Sequence, residues 1–256
     1  MSYLGELNKN DLIRRLQPLF QTGWYVRPED GKVVTQQTGI LTKIPWIFVK
    51  YLDDAHCKYY HDVCHKCFGF VHSRCLNCYK VVFKPRTVEQ LFEVYSVMRL
   101  KLKNIPSKCG IEERVYVHGN YGCYWYGHGL EGGLENYRRI FDTLEKYELL
   151  QPLLEERDSK GRTTRLILKR ACTEFEMEFG DSQKWYQTPK AKKWEDWLEK
   201  IVIKPDAGLP QPDYVQHRVK LDWLKHAYSI GDETALKFND GEMFYPNYTI
   251  YHEGER

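Results

Sequence analysis

Apolar side chains recur along the chain with two different periods, and each period predicts an element. Val88, Leu91, Phe92, Tyr95, Met98 and Leu102 fall every three or four positions, on one face of a helix. Thr87 and Gln90 have capping-box spacing, so that helix opens at Thr87. A second helix is expected over 133–147, with Leu134, Tyr137, Ile140, Phe141 and Leu144 as its stripe. Pro189, directly after Thr188, suits the first turn of a third, ahead of Trp194, Trp197, Leu198 and Ile201. Val215, Val219, Trp223, Leu224 and Ala227 mark a last helix, and an early one over 10–20 is cut short by Pro18.

Strands are expected at Val33 and Val34, across 44–52 and at 81–83. The segment 105–110 reads as a loop and 112–118 as a strand, followed by a Gly119-Asn120 turn and a returning strand over 123–126. Leu166 and Leu168 share a face. Glu174, Glu176 and Glu178 alternate with Phe175, Met177 and Phe179, the pattern of a strand with one wet face. The fold class is therefore α+β, with mixed helices, short antiparallel strands and a small four-cysteine metal-binding knuckle as an insertion. The expected division is an N-terminal α+β segment 1–56, a zinc-binding module 57–84, a central α+β domain 85–183 with a winged-helix-like part, and a mainly helical segment 184–256.

Composition narrows the function classes little. The 256 residues are 42% hydrophobic and 29% charged, with a net charge of +3, so bulk charge requires no polyanionic partner. The 19 Tyr, 7 Trp and 11 Phe supply core, and an aromatic surface for a protein partner. No apolar run is long enough to span a membrane, and the first ten residues do not read as a signal peptide. A cytoplasmic chain with reduced cysteines is expected. The isolated Cys109, Cys123 and Cys172 read as small buried hydrophobes.

Cys64 and Cys67, then Cys75 and Cys78, stand as two Cys-x-x-Cys pairs seven residues apart. Four thiolates from two tight turns suit a closed tetrahedral Zn2+ site, and an iron–sulfur cluster accepts the same ligands. The pattern resembles the paired knuckles of zinc-ribbon modules. His56, Cys57, His61, His65 and His72 lie close enough in sequence to replace a ligand.

Three readings of function follow. Arg157, Lys160, Arg162, Arg165, Lys169 and Arg170 form a basic hairpin after the helix bearing Arg138 and Arg139. That order resembles the latter half of a winged helix and implies DNA or RNA contact, through Arg138, Arg139, Lys160, Arg162, Arg165, Lys169 and Arg170. A zinc-containing nucleic-acid-binding or -processing protein is the first reading. The second is an enzyme whose site lies in the aromatic, glycine-rich loop 116–129, with His118 or His128 as a base and Cys123 as a nucleophile. The third is a structural or assembly protein with a zinc-braced fold.

Overall fold

Alternation along the strands builds a sheet with two chemically opposite faces. In a computed structural model, the described residues are 14–35, 44–52, 56–150, 166–204 and 210–239. Strands β1 (Trp24–Val26) and β2 (Val33–Thr35) pair as an antiparallel ribbon. Strands β3 (Trp46–Lys50), β4 (Cys78–Phe83), β5 (Ser107–Ile111), β6 (Tyr121–His128) and β7 (Leu166–Arg170) form an antiparallel sheet in the order β3-β5-β6-β4-β7. One row across it reads Phe48, Lys108, Tyr124, Val82, Ile167. Because successive side chains point to opposite faces, Ile47, Val81, Phe83, Cys109, Ile111, Cys123, Trp125 and Leu166 all enter the main core. Trp46, Phe48, Lys80, Lys108, Tyr124, Tyr126 and Lys169 fall on the other face.

Helices cover the apolar face. They are α2 (Val88–Lys101), α3 (Gly129–Lys146) and α6 (Asp213–Ser229), which follow the single turn α1 (Ser73–Leu76) and flank α4 (Thr173–Phe179) and α5 (Pro189–Ile201). The capping box at α2 forms: the Thr87 hydroxyl accepts from the Gln90 N–H at 3.2 Å, and the Gln90 side chain accepts from the Arg86 N–H at 2.8 Å. Its buried face includes Val88, Leu91, Tyr95 and Met98. Each such side chain contributes about 1.5–3 kcal/mol on burial. Helix α3 comes so close to the sheet that a Cβ on Gly133 would lie 2.7 Å from that of Tyr79. Its expected stripe holds at Ile140 and Leu144, whereas Leu134 faces out.

A second apolar cluster lies apart from the main core. Leu16, Leu19, Trp24, Val33, Tyr59, Val63, Cys64, Phe68, Phe175, Trp194 and Leu198 belong to it. It forms around a π-helix, Tyr59–Cys67, and α5. Pro18 sits early in a 3-10 turn, Gln17–Thr22, which ends at Gly23 with φ 85°.

Several expectations need correction. The α+β class stands, but the four-cysteine knuckle does not form. Residues 64–67 wind within the π-helix, where a knuckle would need a tight turn. Cys64 is buried in the second core beside Tyr59, while Cys75 and Cys78 border a cavity on the polar side of the sheet. Among the described residues, no three His, Cys, Asp or Glu side chains are grouped to hold a metal ion. The nearby histidines have other work: His65 meets Glu178 at 2.7 Å, and His72 accepts from the Arg74 N–H at 3.0 Å. The zinc and iron–sulfur readings therefore fall. The expected loop at 105–110 contains β5, and the expected strand at 112–118 is a loop, because pairing with both β3 and β6 outweighs the local turn residues. The Glu/Phe alternation forms α4, a helix ended by Gly180 with φ 75°.

Candidate active site

The polar face of the sheet forms one wall of a cavity of about 220 Å³. Strands supply Lys80, Lys108, Tyr124 and Tyr126; the π-helix supplies Tyr60 and His61; the segment after β7 supplies Ala171, Cys172 and Glu174. Cys57, Arg74, Cys75, Cys78 and His128 complete most of the rim and wall.

Cys172 is the chemical centre of this wall. Lys80, almost wholly buried, donates from Nζ to the Cys172 sulfur at 3.3 Å. His61 also hydrogen-bonds to Cys172, and its ring stacks at 4.5 Å and 23° on Phe175, one helical turn after Cys172. Burial alone would push the Cys172 thiol up. The Lys80 charge and the His61 hydrogen bond outweigh burial and bring it down to about 6. Burial likewise opposes the charge on Lys80, but the facing sulfurs of Cys172 and Cys78 raise its pKa. Cys172 is a half-buried residue that lines the cavity. Two other cavity thiols go the opposite way: burial pushes Cys57 up to about 12, and Cys75 well above the usual range.

The backbone before the thiol is held in a costly conformation. Ala171 has φ 51°, in the left-handed region, and its N–H donates to the Cys78 carbonyl at 2.8 Å. A non-glycine residue there costs on the order of 1–3 kcal/mol. It turns the chain off β7 so that Cys172 faces the cavity.

The loop between β5 and β6 is tied across the opening. Arg114 donates to both carboxylate oxygens of the fully buried Glu112, each at 2.7 Å, and to Glu174 at 2.9 Å. The Tyr116 hydroxyl donates to Glu174 at 3.1 Å, and the Tyr124 hydroxyl to Glu112 at 2.5 Å. Burial would raise Glu112, but Arg114 and Tyr124 hold it down at about 2.

No family model, curated protein or solved structure matches the chain.

No relative therefore supports the zinc-containing nucleic-acid reading, and the geometry removes its structural basis. Strand β7 pairs with β4, far away in sequence, and among the described residues it is an edge of the main sheet. Lys169 pairs with Glu176, and Arg170 donates to the carbonyls of Leu76, Ser182 and Trp185. Arg138 and Arg139 are exposed on α3, and Arg157, Lys160, Arg162 and Arg165 lie outside the described residues. The nucleic-acid-binding and DNA-binding assignments are dropped with the metal. Among the described residues no helix is long and apolar enough to cross a membrane. Aromatic clusters are present, such as Phe68 with Trp194 and Trp197.

The candidate residues of the 116–129 loop separate. Cys123 is buried beside Cys109 on the core face, with its pKa well above the usual thiol range because of burial. His118 is exposed in the loop, whereas His128 reaches the cavity rim and contacts Arg74. Of the residues that surround the thiol, sequence reasoning placed His61 only among metal ligands and took Cys172 for a core residue. The lysine two positions beyond Cys78 was the available signal, since period two puts both on one face.

Proposed function

We propose that the chain is an enzyme acting through covalent, nucleophilic catalysis by the Cys172 thiolate. The contact between Lys80 and Cys172 in the wall of a ligand-sized cavity carries this reading. Thiolates are the reactive form, and a pKa near 6 keeps Cys172 ionised at neutral pH. Attack on an electrophilic centre forms a bond to sulfur and expels a leaving group, which takes a proton from His61. Water deprotonated by His61 then breaks the bond to sulfur, restoring the thiolate and the imidazole proton. Lys80 is a positioning residue that stabilises the anion before attack, and the Arg114–Glu174 tie holds the segment bearing Cys172 against the sheet.

Limited alkylation with iodoacetamide at about pH 6.5 tests the reading. Tryptic peptide 171–184 contains only Cys172, and peptide 51–58 only Cys57. Label should enter 171–184 first, although Cys57 is the more exposed residue of the two. Labelling led by Cys57 would overturn the proposal.

A further inference from the structure

The cations on the polar side of the sheet are almost all committed. Lys80 faces the Cys172 sulfur. Lys84, just beyond β4, donates to the Tyr124 hydroxyl at 3.0 Å and lies 3.5 Å from Glu112. Arg114 is divided between Glu112 and Glu174, and Lys169 pairs with Glu176. Lys108 differs. Its Nζ lies over the Trp46 ring at 4.3 Å, with the Tyr124 ring at 5.6 Å and the Phe48 ring at 5.9 Å. Among the described residues no carboxylate comes within ion-pair distance of it, yet it lines the same cavity as Cys172.

An ammonium withdrawn from water normally has an anion beside it. Ring faces replace part of the lost hydration, and no carboxylate among the described residues pairs with the charge. Register puts Lys108 directly opposite Tyr124, and its ammonium lies beside the rings of Trp46, Tyr124 and Phe48. Burial, with Lys80 and Arg114 nearby, brings its pKa down to about 8, against the opposing pull of the Cys172 and Cys57 sulfurs.

We infer that Lys108 anchors a small ligand bearing an oxyanion, a carboxylate or a phosphate, against the aromatic wall while its electrophilic centre meets Cys172. This inference rests on the thiolate reading and names the substrate class for that site. The ligand's charge pairs with Lys108, its apolar part lies against Tyr124 and Tyr126, and the cavity limits it to a small molecule.

Two alkylating agents of similar size separate the two claims. Iodoacetate carries a carboxylate and iodoacetamide does not. The rate ratio of iodoacetate to iodoacetamide at Cys172 is measured in the folded chain and in the urea-unfolded chain, again on peptide 171–184. An uncompensated charge within a few ångströms should raise the folded ratio about tenfold or more at neutral pH. Lys108→Met should bring it close to the unfolded value, and Lys108→Arg should keep most of it. Inorganic phosphate should slow iodoacetamide labelling of the native protein saturably. Equal ratios in the folded and unfolded chain, or a raised ratio that survives Lys108→Met in a folded variant, overturn the inference. So does an absence of phosphate protection in the native protein, which needs no variant. The pH midpoint of labelling reports separately on the thiolate: a midpoint in the ordinary thiol range removes the proposed chemistry, whereas a midpoint near 6 without anion preference removes only the anchor.

Discussion

Replacing Lys80 by methionine keeps side-chain length and removes the charge beside the Cys172 sulfur. In the native chain the ammonium donates at 3.3 Å and the thiol titrates at about 6. About nine tenths of Cys172 is then thiolate at neutral pH, against roughly 3% for an ordinary thiol of pKa ~8.5. Without Lys80, burial is opposed mainly by the His61 hydrogen bond, and the midpoint should rise by about two pH units or more. At a midpoint of ~8 the thiolate fraction at neutral pH falls about tenfold. The more basic thiolate is also the better nucleophile, and a Brønsted coefficient of ~0.4–0.5 returns roughly six- to tenfold. The rate at neutral pH therefore changes little, and the midpoint is the informative quantity. It is read from iodoacetamide rates over about pH 4–10 on peptide 171–184. Lys80→Arg should keep the midpoint within about one pH unit of the native value. A native midpoint near the ordinary thiol value, or one left unmoved in a folded Lys80→Met variant, would refute the reasoning.

Two further outcomes test the frame around the site. Gly110→Ala would put a Cβ 2.0 Å from the Pro45 carbonyl oxygen, so β3 must move off β5; a loss of about 3 kcal/mol or more in urea unfolding is expected, and a loss under about 1 would contradict the close approach. Glu112 is held at about 2 in the folded chain and returns to ~4.3 on unfolding, so the unfolded chain takes up the proton first. Its contribution is present above ~4.3 and is lost as pH falls toward 2. Glu112→Gln should cost about 3–5 kcal/mol near neutral pH and flatten the acid side of the stability profile. Native-like stability in that variant would contradict the buried pairing with Arg114.

Local signals carried much of the secondary structure. Thr87 and Gln90 announced α2, Pro189 after Thr188 announced α5, and the apolar stripe from Val215 to Ala227 announced α6, because caps and helical periods depend on residues within about four positions of each other. The same locality misled at Glu174–Phe179, where six residues satisfy both periods and the packing of Phe175 on His61 accompanies the helical outcome. It misled again at Cys64–Cys67, where ligand spacing was real but the π-helix carried Cys64 into an aromatic core. Which lysine is paired, and which thiol is ionised, was decided only by tertiary structure. Charge interactions depend on distance in space, and His61, Lys80, Lys108 and Cys172 meet through strand register and the turn at Ala171.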